Sequence, residues 1–250
     1  EKVRIHYVVT RGGTLPNVVP EQAESWYFVR ALDSEELEQV TARVRKIAEG
    51  AALMTETSVA VTLNGACSSV INNHYLADLH YKAMEELGPI AFTEEELAFA
   101  RTVNGQFPPE AVRPFEGLRI PQEWRERAAA AALQPLVAEN FPSWDEDRVQ
   151  TGSTDVGDVS WITPLSMLST ACWPTGAPGH SWANAAAAGT SIGHKGMMHA
   201  ARIMALVGID LYSDPVHLER ARREFAERTT GNPYRSPLPA ALTPPRYPAG

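Results

Sequence analysis

The sequence has few cysteines, few basic residues and no long apolar run, and each shortage excludes a class of protein. The two cysteines, Cys67 and Cys172, form neither a Cys-x-x-Cys motif nor a disulfide framework, which fits a reducing cytoplasm. With 22 basic against 30 acidic side chains, the net charge of -8 disfavours nucleic acids and anionic membranes as partners. No apolar run approaches the roughly 20 residues that cross a bilayer. We therefore expect a cytoplasmic protein that acts on small molecules.

The chain does contain enough apolar residues for a core, at 44% of 250 positions. β-Branched and aromatic residues predict strands over residues 3–10 and 23–30, with a Gly-Gly turn after the first. Asp33 and an acidic first turn then predict a helix to Met54, and alternation over 57–63 predicts a third strand. This order is typical of part of a small α+β sandwich. Because the chain starts with Glu rather than Met and enters a strand at once, we expect a missing N-terminal part.

The pattern changes after residue 65, and we expect a second domain from residue 69 onward. Helical periodicity predicts a helix over 75–87, which stops at Gly88. Residues 89–150 are rich in proline and charge, so we predict an excursion from the core. The remaining predicted elements are short helices at 94–102 and 122–139, buried segments at 159–167 and 168–173, a long helix from Ser191, a charged helix over 214–228, and a proline-rich extended tail.

An isolated histidine, His180, lies in a Pro-Gly loop directly before a run of small residues. Loops often carry functional side chains, so His180 could project into a cleft as a metal ligand. Its ring could equally hydrogen-bond to its own backbone. Asp155 and Asp158 are three residues apart, and on a turn they could aim at a metal, at a ligating imidazole or at local N–H groups. The sequence leaves these alternatives open.

The glycine-rich segment 189–196 resembles a phosphate loop only superficially, because the pattern Gly-x-x-x-x-Gly-Lys-Ser/Thr is not satisfied. We therefore exclude a nucleotide site. The N–H groups of Gly189 and Thr190, at a predicted helix start, could instead bind a carboxylate. His194 and His199 are five residues apart rather than four, so they do not form a helical pair of metal ligands.

Two separated polar residues suit a carboxylate ligand. Asn17 follows the Gly-Gly turn and Arg30 ends the second predicted strand, and an amide with a guanidinium fork is a good chemical match for a carboxylate. A strand-end arginine is, however, more often a solvated surface charge. His6 alternates with Arg4 and Val8 along the first strand, and the sequence does not decide which way it faces.

Taken together, these motifs resemble the aminoacylase and carboxypeptidase type of dinuclear metallohydrolases, most of all the branch that acts on aminobenzoyl-glutamate. The resemblance covers nearly the whole chain, and the ordered series is more specific than any single motif. It is carried by His6-Tyr7, Gly12-Gly13, Asn17-Val18-Val19-Pro20, Tyr27-Phe28-Val29-Arg30, residues 153–161, His180-Ser181-Trp182, residues 189–197 and Asn232-Pro233-Tyr234.

The resemblance implies an α/β fold in two parts. Residues 1–68 resemble the latter half of an inserted α+β lid and dimerisation domain, and residues 69–250 resemble the C-terminal half of the metal-binding catalytic domain. A homodimer formed through the lid, a partner subunit, and two divalent ions, zinc or manganese, are also implied. The family's general base, bridging carboxylate and other ligands have no counterpart in this chain, and the resemblance implies that they lie before residue 1.

The resemblance also assigns roles to individual residues. They are His180 as the last metal ligand, Asn17, Arg30 and His6 as substrate-binding residues, and Asp155 as part of a motif that lines the metal cleft. From the residues themselves we add Gly189 and Thr190 to the substrate-binding set and Asp158 to the cleft lining. The implied activity is metal-dependent hydrolysis of the amide bond of N-acyl or N-aroyl amino acids by metal-activated water. The alternative is a non-catalytic dimerisation and ligand-binding protein derived from the same fold.

Overall fold

A computed structural model describes residues 2–112, 114–144 and 152–239, which form two compact units. The first unit holds the two strands and two helices, and the elements described in the second unit are helices. The first unit contains residues 2–70, 152–161 and 234–239. The second contains residues 71–112, 114–144 and 162–233. The N-terminal unit therefore takes in two later segments, which the sequence did not predict.

The elements follow one another along the chain with two strands first and helices afterwards. They are β1 (Arg4–Arg11), β2 (Glu24–Arg30), α1 (Ser34–Met54), α2 (His74–Leu87), α3 (Glu94–Asn104), a 3-10 turn at Gln122–Trp124, α4 (Arg125–Ala132), α5 (Val156–Ser160), α6 (Trp182–Ala188), α7 (Ser191–Ser213) and α8 (Pro215–Thr229). No helix in the part of the chain that the structure describes is both long and apolar enough to cross a membrane.

In the first unit, β1 and β2 form an antiparallel hairpin, as their β-branched and aromatic residues predict. Arg4 lies opposite Arg30 at the open end of this hairpin. A bulge between Val9 and Arg11 then shifts the register by one residue, so that Arg11 lies opposite Glu24 at the loop end. The hairpin therefore brings together residues that are up to 26 positions apart in the sequence.

The helix α1 starts where its capping residues predict. The side chain of Asp33 accepts a hydrogen bond from the N–H of Glu36 (2.8 Å), and the Glu36 carboxylate accepts one from the N–H of Leu32 (3.3 Å). The predicted strand at 57–63 is wrong, because residues 57–73 form no helix or strand. A strand needs a hydrogen-bonded neighbour, and no described segment pairs with residues 57–63.

In the second unit, α2 and α7 pack around an apolar centre formed by Leu79, Ala83, Met84, Ile203 and Val207, and α8 contacts both helices. The side chain of Asn73 caps α2 by accepting from the N–H of Leu76 (3.0 Å) and donates to the carbonyl of Ala221 in α8 (2.9 Å). One buried amide thus serves two helices, which fixes the start of α2 against α8.

Two predictions in the second half of the chain are wrong. The helix predicted over 122–139 is split into the 3-10 turn and α4, which ends at Ala132 ahead of Pro135 because proline cannot continue a helix. The segments predicted to be buried are partly exposed: Ile162, Met167 and Trp173 keep 67%, 51% and 47% of their surface. The helices predicted from 191 and over 214–228 are confirmed as α7 and α8.

Candidate functional site

His180 lies in the loop immediately before α6, in the second unit. Its backbone has a φ of 56°, in the left-handed region that few residues with a side chain adopt and that is often found at functional sites. The side chain is exposed, and none of the described residues makes a hydrogen bond to its ring. The ring of His180 is therefore accessible to a ligand.

Thr190, whose N–H group was predicted to bind a carboxylate, lies at the junction between α6 and α7 and makes hydrogen bonds within the chain. The hydroxyl of Thr190 donates to the carbonyl of Ala187 (2.7 Å) and accepts from the N–H of Ile192 (3.2 Å), while the N–H of Thr190 also donates to Ala187 (3.0 Å). Thr190 thus caps α7. Gly189 is exposed beside it, and its role in substrate binding stays a prediction.

Close packing accounts for two other glycines of this segment. A Cβ at Gly193 would overlap the carbonyl oxygen of Ala188, and one at Gly196 would lie 2.5 Å from the sulfur of Cys172. No side chain fits at either position without a shift of the surrounding backbone or of Cys172. The glycine pattern that suggested a ligand loop is therefore explained at these positions by the approach of α7 to its neighbours.

Neither histidine of α7 forms a metal site with the other. His194 is exposed, whereas His199 is buried and its Nε2 has no hydrogen-bond partner among the described residues. Burial, followed by the charge of Arg202, lowers the pKa of His199 below its usual value. Both effects favour the neutral form of this imidazole.

The two aspartates near residue 156 have different surroundings within the first unit. Asp155 is exposed and contacts the neighbouring Thr154 hydroxyl, at 3.4 Å. Asp158 accepts hydrogen bonds from the hydroxyl of Ser68 (2.7 Å), the N–H of Ser68 (3.4 Å) and the hydroxyl of Tyr234 (3.0 Å). We call Asp158, Ser68 and Tyr234 the Asp158 clasp, because they join three segments that are distant in sequence.

Neighbours of Asp158 strengthen this contact. The indole N–H of Trp161 donates to the carbonyl of Ser69 (2.8 Å), and a Cβ at Gly157 would overlap the carbonyl oxygen of Ser68. Desolvation first, and then the hydrogen bond to Asp158, raise the pKa of Tyr234 above its usual value. Asp158 therefore holds the chain in place with both carboxylate oxygens. Asp155 is exposed, and its place in the lining of a metal cleft stays a prediction.

The hairpin brings His6 and Arg30 to one face. Side chains that alternate along paired strands share a face, and His6 lies opposite Phe28, two residues from Arg30. Arg30 is half-buried, with its guanidinium 5.7 Å from the centre of the Phe28 ring. Asn17 is exposed in the loop at the other end of the hairpin, beyond Arg11. The structure therefore groups His6 with Arg30 and places Asn17 at the opposite end.

Within the described ranges, a metal would find only part of its coordination sphere. The described residues contain no group of three or more His, Cys, Asp or Glu side chains that could hold an ion. The exposed ring of His180 suits one coordination position, whereas protein sites for catalytic zinc use about three side-chain ligands. His180 therefore fits a divalent ion as one of its ligands.

Comparison with known proteins first defines the class. Residues 3–55, which contain the hairpin and α1, match the peptidase dimerisation domain. The chain as a whole is 37% identical over 255 residues to a subunit of the p-aminobenzoyl-glutamate hydrolase of Escherichia coli (strain K12), covering 98% of this chain and 52% of that protein. The resemblance stated from the sequence is thereby confirmed: the chain is similar to an amidohydrolase subunit and, over residues 3–55, to a peptidase dimerisation domain.

Other relatives also carry the names of hydrolases that act on amide bonds. The chain is 25% identical over 222 residues to Xaa-Arg dipeptidase of Mus musculus, covering 89% of this chain and 40% of that protein. It is 35% identical over 88 residues to N-acetyldiaminopimelate deacetylase of Leuconostoc mesenteroides, covering 35% of this chain and 23% of that protein. The chain spans about half the length, or less, of the curated relatives it matches.

Proposed function

We propose that the protein encoded by the complete reading frame is a divalent-metal-dependent amidohydrolase. It releases an amino acid, with glutamate as the first candidate, from an N-acyl or N-aroyl conjugate such as aminobenzoyl-glutamate. The observation that carries the proposal is the 37% identity to the p-aminobenzoyl-glutamate hydrolase protein over 98% of this chain. The chain matches 52% of that relative, so the activity is proposed for the complete protein.

In this proposal His180 is one ligand of a site for two ions, zinc or manganese. Its exposed ring and left-handed backbone support the assignment. When bound, such ions polarise an amide carbonyl and lower the pKa of water. The remaining ligands and the general base are assigned to the part of the protein that this chain does not contain, and Asp155 lines the cleft beside them.

Substrate binding is assigned to the hairpin. Arg30 binds the substrate carboxylate, and its half-buried guanidinium on the Phe28 ring suits that task, because its direction is fixed and its charge is only partly hydrated. His6 shares the face with Arg30. We also assign substrate binding to Asn17, Gly189 and Thr190.

We further propose that the protein is a homodimer that uses residues 1–68 as the latter half of a lid and dimerisation domain, with residues 69–250 as the C-terminal half of the catalytic domain. The match of residues 3–55 to the peptidase dimerisation domain supports this assembly. The name of the Escherichia coli relative, which describes one subunit of a hydrolase, supports a different partner chain as well. Both cysteines are free, which fits the cytoplasmic location that we propose.

The test compares the complete protein with its His180→Ala variant. We expect the variant to lose metal and to hydrolyse aminobenzoyl-glutamate at least about a hundredfold more slowly, since even residues that only support a metal ligand contribute tenfold to a hundredfold. Metal content by mass spectrometry and turnover are the readouts. His194→Ala, which removes an exposed histidine of α7, is the matched control. Unchanged metal content and turnover in His180→Ala would show that the ligand assignment is wrong.

The second candidate is a non-catalytic protein that dimerises and binds an N-acyl amino acid. The match of residues 3–55 to a dimerisation domain favours it, because that match concerns assembly and not chemistry. The two candidates differ in one measurement. This measurement is the release of glutamate from aminobenzoyl-glutamate with zinc or manganese present. If the complete protein binds this compound and forms a dimer but releases no glutamate, the second candidate is right.

A further inference from the structure

The two faces of the hairpin differ in composition. Residues that lie directly opposite each other on antiparallel strands share a face, and successive pairs alternate between the two faces. The face that we call the Tyr7 face consists of Ile5, Tyr7, Val9, Ser25, Tyr27 and Val29, none of which is charged. The face that we call the His6 face consists of Arg4, His6, Val8, Trp26, Phe28 and Arg30, of which half are basic.

This difference in composition suits different partners. The uncharged Tyr7 face suits packing against other parts of the protein, because the burial of an unpaired charge is costly. The His6 face combines apolar rings with basic groups, which is typical of a surface that binds a small ligand. The chain as a whole has a net charge of -8, so its general composition does not account for a basic face. An N-aroyl glutamate is both aromatic and anionic, and it therefore matches the His6 face in both respects.

The aromatic rings on the two faces are arranged differently. Tyr7 and Tyr27 have ring centres 5.4 Å apart and planes only 19° from parallel, so they stack on each other. Trp26 and Phe28 have the same separation of 5.4 Å, but their planes are tilted by 42°. Tilted rings do not lie face to face, and Trp26 keeps 49% of its surface exposed. The indole of Trp26 can therefore present a ring face to a third aromatic group.

Phe28 is less suited to this task than Trp26. Arg30 is already engaged within the chain, and its guanidinium lies 5.7 Å from the centre of the Phe28 ring. Trp26 lies opposite Val8, one pair further along the His6 face, and its indole is the larger ring. Trp26 is therefore the ring of this face that best suits an aromatic ligand.

We propose that Trp26 is a specificity-determining residue that stacks on the aromatic acyl group and so selects N-aroyl over N-acetyl amino acids. This inference rests on the proposed function, because it names the acyl group of the substrate that the complete protein hydrolyses. His6, which we assign to substrate binding, belongs to the pair next to that of Trp26, about 7 Å along the strands. A benzoyl ring extends further from the amide than an acetyl group does. A substrate held at His6 can thus place a benzoyl ring on Trp26, whereas an acetyl group leaves Trp26 without a partner.

The experiment compares aminobenzoyl-glutamate with acetyl-glutamate, which share the amide and the amino acid, in the complete protein and its Trp26→Leu variant. Leucine keeps apolar bulk at this half-exposed position and removes the aromatic ring. We expect Trp26→Leu to lower kcat/KM for aminobenzoyl-glutamate about tenfold, the upper range for the loss of one aromatic pair. For acetyl-glutamate we expect a change of less than about twofold. Trp26→Phe keeps an aromatic ring and should retain more of the preference than Trp26→Leu.

The matched control is Tyr27→Leu, which removes the neighbouring ring of the same strand on the Tyr7 face, at a position that is 46% exposed. It should leave the ratio of kcat/KM between the two substrates unchanged. An equal loss on both substrates in Trp26→Leu, no loss on either, or the same change of ratio in Tyr27→Leu would overturn the proposal.

A binding experiment separates this proposal from the proposed function. If the complete protein hydrolyses neither compound, the proposed function fails, and calorimetry with the same two compounds as ligands still tests Trp26. We expect aminobenzoyl-glutamate to bind more tightly than acetyl-glutamate, and Trp26→Leu to abolish this difference. Equal binding of the two compounds by the unaltered protein, or a difference that persists in Trp26→Leu, would overturn the role of Trp26.

Discussion

The two units of this chain are stabilised in different ways. In the second unit, α2 and α7 bury apolar side chains against each other, among them Ile203, which is fully buried. In the first unit, Tyr7, Trp26 and Phe28 each keep about half or more of their surface exposed, and the long segment after α1 is held at Ser68 by the Asp158 clasp. The stability of the second unit therefore depends on apolar packing, whereas that of the first depends on a few polar contacts.

The largest effect should come from the apolar centre of the second unit. Ile203→Ala removes a buried side chain and leaves a cavity, so we expect the free energy of unfolding to fall by about 2–5 kcal/mol. Urea unfolding measures the loss, and amide exchange shows whether it is confined to the second unit. Ile209→Ala, at a position that is 59% exposed on the same helix, is the control and should change stability by less than about 0.5 kcal/mol.

An intermediate effect is expected at the buried polar centre of the second unit. Glu96 accepts from Lys195 (2.7 Å) and Ser191 (2.6 Å) and forms a capping box with Thr93. Burial opposes ionisation of Glu96, but the hydrogen bonds from Lys195 and Ser191 outweigh it and lower the pKa from 4.5 to about 2. At neutral pH, Glu96→Gln should therefore lower the free energy of unfolding by about 1.5–3 kcal/mol.

The pH dependence of this effect has a definite sign. The folded-state pKa lies below the ordinary value, so the ionised Glu96 contributes stability above pH 4.5, and this contribution is lost as the pH falls towards 2. Wild type and Glu96→Gln should therefore converge over that window in urea unfolding curves. Glu94→Gln, an exposed residue of the same helix, is the control. A constant difference between wild type and Glu96→Gln down to pH 2 would contradict the prediction.

The smallest effect is expected in the first unit. Asp158→Asn keeps the shape of the side chain and removes its charge, so we expect a loss of about 1 kcal/mol. The readout is hydrogen exchange at the amide of Ser68, which should become faster because that N–H donates to Asp158. Asp155→Asn is the control at an exposed aspartate of the same turn. Unchanged exchange at Ser68 in Asp158→Asn would show that the clasp does not hold this segment.

The sequence predicted the elements whose signals are local. The hairpin, α1, α7 and α8 follow from alternation, helical periodicity and caps such as Asp33 and Asp214, which act within a few residues. The strand predicted at 57–63 failed because pairing depends on a neighbouring strand, and alternation within one segment says nothing about that neighbour. The helix over 122–139 failed because Pro135 limits it, a signal that was present in the sequence.

The candidate site was predictable in residue type but not in arrangement. The resemblance pointed to His180, Arg30 and His6, whereas the partners of Asp158 lie 90 and 76 positions away and no local pattern links them. The pairing of Arg4 with Arg30 was not predictable either, because it depends on the register of two strands. That register follows from the pairing of two strands and from the bulge between Val9 and Arg11.

The alternation of side chains along β1 also determines where this chain tolerates a change of length. Successive residues of a strand point to opposite faces of the hairpin. One residue inserted between Arg4 and Val9 would therefore move Arg4 to the other face, away from Arg30. An insertion in the loop between β1 and β2 changes the reach of Asn17 and leaves that alternation intact. Related chains that differ in length in this region are therefore expected to vary in the loop and to keep the strand constant.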